Sequence, residues 1–111
     1  STNEEENSQS VRERVKKARQ IQRERFAAAN AQGEGRRIYT NAEMSAKQIK
    51  NLCLLDNDCI SVLRDASLSM HLSARGISKI IKIARTIADL ECVNEIKRTH
   101  ILEALQYRPK A

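Results

Sequence analysis

Residues 73–90, SARGISKIIKIARTIADL, decide the fold. Ile77, Ile80, Ile81, Ala84, Ile87 and Ala88 recur at the three- and four-residue spacing of a helix, and Ile83 and Leu90 widen the stripe. Ser73 stands where a cap belongs, its hydroxyl able to accept an amide left free by the first turn. Leu72 ahead of it pairs with Ile77 as a hydrophobic staple. So broad an apolar face leaves little of the helix for water, and the pattern predicts a helix at the centre of a bundle.

The flanking sequence supplies that helix with partners. On the C-terminal side, a helix over 98–107 is expected to bury Ile101, Leu102, Ala104 and Leu105, with Ile96 packing from just before it and Pro109 preventing continuation. On the N-terminal side, Asp56 caps a helix whose Ile60, Val62, Leu63, Ala66, Leu68 and Met70 make a broad face, with Leu55 stapled to Ile60. Ser45 and Gln48 form a capping box that opens a short helix with Ile49, Leu52 and Cys53 inward. Residues 32–42 read as a loop broken by Gly33 and Gly35.

Residues 10–31 read as a long basic linker helix, opened by a capping box at Ser10 and Glu13. Its apolar stripe is thin: Val11, Val15, Ala18, and Ile21 or Phe26. Arg12, Arg14, Lys16, Lys17, Arg19, Arg23 and Arg25 take most of the remaining circumference. Such a helix gains little from packing on its own domain and is expected to splay away or dock on a neighbouring chain. Residues 1–9, STNEEENSQ, offer nothing to bury and read as a disordered tail. The expected architecture is all-α: a small orthogonal helical bundle over 43–108, preceded by a long basic helix.

Composition agrees. A chain of 111 residues is one small domain, and 3 Gly with 1 Pro leave too few tight turns for an all-β fold. No apolar run approaches the roughly 18 residues of a membrane span, and no signal peptide is visible. Three cysteines in a helical chain suit a reducing cytosol better than a disulfide framework, so a cytoplasmic location is expected. The net charge of +6 is uneven: the first nine residues are purely acidic, and the excess of base is densest over 10–37. The chain opens on Ser and reads as a fragment of a longer protein.

Autonomous catalysis is not expected. There is no glycine-rich phosphate loop, HExxH, CxxC or GxSxG. Cys53, Cys59 and His71 match no standard zinc spacing, so the cysteines read as core residues and no metal site is expected. His100 falls in the first turn of the last helix, where it would cap or pack. Arg12, Arg14, Lys16, Lys17 and Arg19 are the candidates for nucleic-acid phosphates, which makes an independent basic module binding nucleic acid or a protein partner the alternative reading. Against it, the cations surround the helix and no aromatic residue offers a stacking platform. Arg75 sits at about the second position of the central helix, where a cation opposes the helix dipole; that cost points to an anion beyond the helix.

The strings VRERVKKARQIQRERF (11–26), NLCLLD (51–56), LSARGISKIIKIARTIADLE (72–91) and IKRTHILEALQYR (96–108) together resemble the C-terminal domain of the magnesium-chelatase-like AAA+ ATPases, closest to the bacterial ComM/YifB-type subgroup. The resemblance spans about residues 10–108. It implies a helical lid that closes over ATP and packs on the upstream AAA+ core and on neighbouring subunits of a ring, usually a hexamer. It places Arg75 as the second sensor, both a catalytic and a cofactor-binding residue in the full-length ring. This chain would hold no cofactor alone; ATP and Mg²⁺ would belong to the parent, an ATPase implied to be a DNA branch-migration helicase. Gly76 departs from the bulkier residue such sequences carry after LSAR, which would loosen the turn that holds Arg75.

Overall fold

The computed structural model describes residues 2–31 and 37–107, with side chains from Asn7 onward. Among these residues there are five α-helices and no strand: α1 (Thr2–Ala31), α2 (Ala46–Leu52), α3 (Asn57–Met70), α4 (Ala74–Leu90) and α5 (Arg98–Gln106). A single 3-10 turn, Asn41–Glu43, precedes α2. The expected all-α bundle is what forms, and no described helix is long and apolar enough to cross a membrane.

The caps predicted between helices are used. Ser45 and Gln48 exchange hydrogen bonds, the Ser45 amide donating to Oε1 at 2.9 Å and the Gln48 amide to Oγ at 3.2 Å. The Asp56 carboxylate accepts from the Cys59 amide at 2.8 Å, and Ser73 Oγ accepts from the Gly76 amide at 3.1 Å. Each satisfies a first-turn donor that would otherwise face only water. At the other ends, α3 and α4 close on residues in the left-handed region, His71 (φ 53°) and Cys92 (φ 59°). The Val93 amide reaches back to Ala88 O at 2.9 Å and the Cys92 amide to Asp89 O at 3.0 Å, the paired bonds of a Schellman cap.

Helix α4 lies at the centre, touching α1, α2, α5 and the 3-10 turn. Its Ile80, Ile81, Ala84 and Ala88 join Ile49, Cys53, Cys59, Leu63, Ala66, Ile96, Ile101, Ala104 and Leu105 in the buried set. Several side chains assigned to that core point outward instead: Ile60, Leu68, Leu90 and Leu102 are exposed, as is Val11 of the thin α1 stripe. On α3 the inward arc is narrower than its apolar count, because only Cys59, Leu63 and Ala66 are turned fully toward α5. Ile60 and Leu68 fall outside that arc.

Helix α1 departs most from expectation. It begins at Thr2, so Ser10 and Glu13 lie inside the helix and form no box, and the segment expected to be a disordered tail continues the helix. No glycine or proline in 2–31 stops it, and a helix once nucleated gains a bond with each residue added. Nor does it splay. Ala18 and Phe26 are 2% and 1% exposed, and the helix docks along α4. Burying the phenyl ring contributes about 1.5–3 kcal/mol, and polar contacts fix the register. Gly33, Gly35 and the rest of 32–36 lie outside the described residues. Just after them, Ile38 is buried, and the Asn30 amide brackets its backbone: Nδ2 donates to Ile38 O at 2.9 Å, and Oδ1 accepts from the Ile38 amide at 3.0 Å.

Candidate functional site

Arg75 is the second residue of α4, one step beyond Ala74, as its spacing from Ser73 predicts. Its side chain is exposed and makes no hydrogen bond or ion pair among the described residues. The turn that carries it is capped by Ser73 and braced by Leu72 and Ile77, both packed on the core. A free guanidinium on a fixed helical tip can present two parallel N–H groups to an oxyanion. Gly76 does not loosen this turn, since its amide is held by the cap. A methyl group there would meet Ser73 Oγ at 3.5 Å and Leu72 at 3.8 Å, ordinary contacts. Gly76→Ala is therefore expected to raise stability by about 0.5–1 kcal/mol, read as a higher midpoint in denaturant unfolding with the helical signal intact.

The other sequence candidates are not gathered around Arg75. Arg12, Arg14, Lys16, Lys17 and Arg19 are exposed on α1. Arg14 lies beside Ile87, Leu90 and Tyr107 in a shallow groove between α1, α4 and α5. Cys53 and Cys59 are buried, their sulfurs facing Met44 Sδ at 3.9 Å and the Ile96 carbonyl at 3.4 Å, while His71 is exposed at the end of α3. Burial raises the Cys53 thiol and pushes Cys59 up to about 11, so both stay protonated and behave as small apolar side chains. His100 caps α5: its Nδ1 accepts from the Lys97 amide at 2.9 Å, which leaves Nε2 to face Glu91 Oε1 at 3.3 Å.

What the sequence reading missed is a buried ionic cluster joining α1 to α4. The Asp89 carboxylate is fully buried and accepts from Gln22 (3.1 Å), twice from Arg25 (2.9 and 2.7 Å), from Asn41 (3.0 Å) and from Arg85 Nε (3.1 Å). Arg25, expected on the solvated side of the basic helix, is turned inward, and its Nη1 also donates to Asn41 Oδ1 at 2.9 Å. Arg85 also donates from Nη1 to the Asn94 carbonyl and from Nη2 to the Val93 carbonyl, both at 2.8 Å, and so ties the α4–α5 corner to the same carboxylate. Burial pulls the Asp89 carboxyl upward, but the bonds from Arg25 and Asn41 and the two guanidinium charges outweigh it and hold it below the usual carboxylate value. Burial likewise lowers Arg85. No buried side-chain nitrogen or oxygen among the described residues lacks a partner. A signal was present in the sequence: Arg85 and Asp89 stand one turn apart, each directly after a buried alanine, Ala84 or Ala88, where a solvated pair has no place.

Comparison with known proteins matches residues 5–108 to the family described as magnesium chelatase, subunit ChlI C-terminal. The competence protein ComM of Haemophilus influenzae is 39% identical over 103 residues, 93% of this chain and 18% of its own length. The uncharacterized protein YifB of Salmonella typhimurium is 36% identical over 86 residues, 78% of this chain, and YifB of Escherichia coli is 31% identical over the same length. The matched stretch is thus under a fifth of each relative, 17% of the two YifB proteins. No solved structure matches.

Proposed function

Because this chain belongs to the magnesium chelatase subunit ChlI C-terminal family, we propose that it serves as the helical lid of an AAA+ ATPase, with Arg75 as the second sensor. One observation carries this reading. Arg75 is an exposed guanidinium without a partner among the described residues, set on the capped tip of the helix around which the bundle packs. A planar fork there suits the terminal phosphoryl group of a nucleotide, neutralising charge spread over its oxygens and losing a contact when that group departs. Arg75 fits one end of a triphosphate and nothing more. In this reading the Mg²⁺ ion and the phosphate loop are supplied by an AAA+ core of the parent protein.

In this reading ATP supplies the phosphoryl transfer, and the lid supplies charge stabilisation and movement. Contact between Arg75 and the γ-phosphate draws the bundle toward the core, and its loss releases the bundle. The buried cluster at Asp89 makes α1 move with α4, so closure is transmitted along the long helix to the upstream domain and to the next subunit of a ring, a hexamer by resemblance. The Haemophilus relative is named a competence protein. The parent of this chain is proposed, on the family resemblance alone, to be a cytoplasmic motor that drives DNA branch migration. ATP turnover by the full-length protein with Arg75→Ala tests the assignment. Collapsed turnover with nucleotide still bound supports it, and wild-type turnover defeats it.

A further inference from the structure

The face of α4 that carries Arg75 carries a second unspent cation. Lys79 lies one turn further along, about 6 Å in rise and about 40° around the axis, and Lys82 continues the same side. Lys82 is already engaged, its Nζ donating to the Ala42 carbonyl at 3.0 Å and holding the 3-10 turn against the helix. Lys79 is exposed and makes no hydrogen bond or ion pair among the described residues. It stands with Lys82 on the rim of a shallow hollow walled by Ala42, Ile83 and Thr86.

Nothing on α4 neutralises this pair. From Ala74 to Ala88 the helix has no acid, and its first carboxylate, Asp89, is buried and committed to Arg25 and Arg85. Like charges one turn apart repel, and a cation in the first turn also opposes the helix dipole, so the arrangement weakens the free helix twice over. An anion spanning both positions removes both costs. Side chains on a helix lean toward its N-terminus, so Arg75 and Lys79 extend the same way along one side of α4, about a turn apart, where one extended anion can reach both.

We propose that Lys79 is a second phosphate-binding residue of the site served by Arg75, taking the phosphate next to the one that Arg75 reads. This rests on the assignment of Arg75 as a nucleotide sensor. The ligand class is a nucleoside di- or triphosphate, and the two residues divide the work by their chemistry. The guanidinium fork is selective for one phosphoryl geometry, whereas the ammonium is a compact charge that accepts phosphate oxygens from any direction. Lys79 therefore supplies affinity for ATP and ADP alike, and Arg75 supplies the difference between them.

The test uses the full-length protein with Lys79→Ala, Lys79→Arg and Arg75→Ala, reading equilibrium affinity for ATP and for ADP, turnover and ring assembly. Lys79→Ala is expected to weaken both nucleotides about tenfold, or about 1.4 kcal/mol, with Lys79→Arg restoring most of the loss and the melting midpoint unchanged. Arg75→Ala is expected to act chiefly on turnover and on the preference for ATP. If Lys79→Ala binds both nucleotides like wild type while Arg75→Ala cripples turnover, the Lys79 assignment falls and the sensor assignment stands. If both variants behave as wild type, both fall. If Lys79→Ala impairs ring assembly but leaves affinity per assembled ring intact, the face belongs to a neighbouring subunit and the phosphate assignment is overturned.

Discussion

Asp89→Asn is expected to lower the free energy of unfolding by about 3–5 kcal/mol, a large share of the roughly 5–15 kcal/mol available to a small domain. The amide is nearly the same size, so no cavity opens. What changes is charge: Arg25 and Arg85, with side chains 11% and 5% exposed, are left facing each other without the carboxylate between them. The amide also presents one acceptor oxygen where the carboxylate's two oxygens serve five bonds. Helix α1 should be released first, because Gln22, Arg25 and Asn41 lose their common acceptor while the α4–α5 core does not. Amide exchange should therefore quicken along α1 before the rest of the chain. Replacing Arg25, Arg85 and Asp89 together with methionine should recover much of the loss, since an apolar cluster carries no stranded charge. Unchanged stability in Asp89→Asn would show that the cluster contributes nothing net.

The same carboxylate sets a pH dependence. Its folded-state pKa lies below the unfolded value of about 3.9, so its contribution is complete above that value and is lost as pH falls through the lower, folded one. The stability gap between wild type and Asp89→Asn should stay level from neutral pH to about pH 5 and then close on further acidification. Denaturant unfolding of both proteins across that range measures it.

The other large effect is kinetic. Arg75→Ala in the full-length protein is expected to lower kcat by about 100-fold, the usual consequence of losing one preorganised donor to a developing anion. ATP affinity should change far less, and the fold should not change, because the side chain is exposed and bonded to nothing among the described residues. Arg75→Lys should recover only part of the rate, since an ammonium cannot bond two phosphoryl oxygens in one plane. Equal losses in affinity and turnover would instead mark Arg75 as a simple anchor for the ground state.

The bundle was legible because its determinants are local. Ser45, Asp56 and Ser73 each satisfy an amide three residues on, and the placement of Arg75 follows from the Ser73 cap alone. The docking of α1 was not legible, because its polar half is written in residues far apart: Arg25 and Gln22 meet a carboxylate 64 and 67 positions away. Read along α1 alone, Arg25 is one more cation on a crowded surface. The exposure of Ile60, Leu68 and Leu102 was hidden for a related reason. A helix face is buried only as widely as its neighbour reaches, and α3 and α5 present little more than one row to each other. The role proposed for Arg75 rests on resemblance, since composition and spacing by themselves describe an ordinary surface arginine.

The three thiols differ in a way with practical use. Cys53 and Cys59 are buried and held protonated, whereas Cys92 is exposed where the chain turns from α4 toward α5. A maleimide dye or nitroxide offered to the native chain should attach once, at that corner, with no engineered mutation. It would sit at the opposite end of α4 from Arg75, so a tag there would report any rocking of the domain without touching the nucleotide site proposed at Arg75.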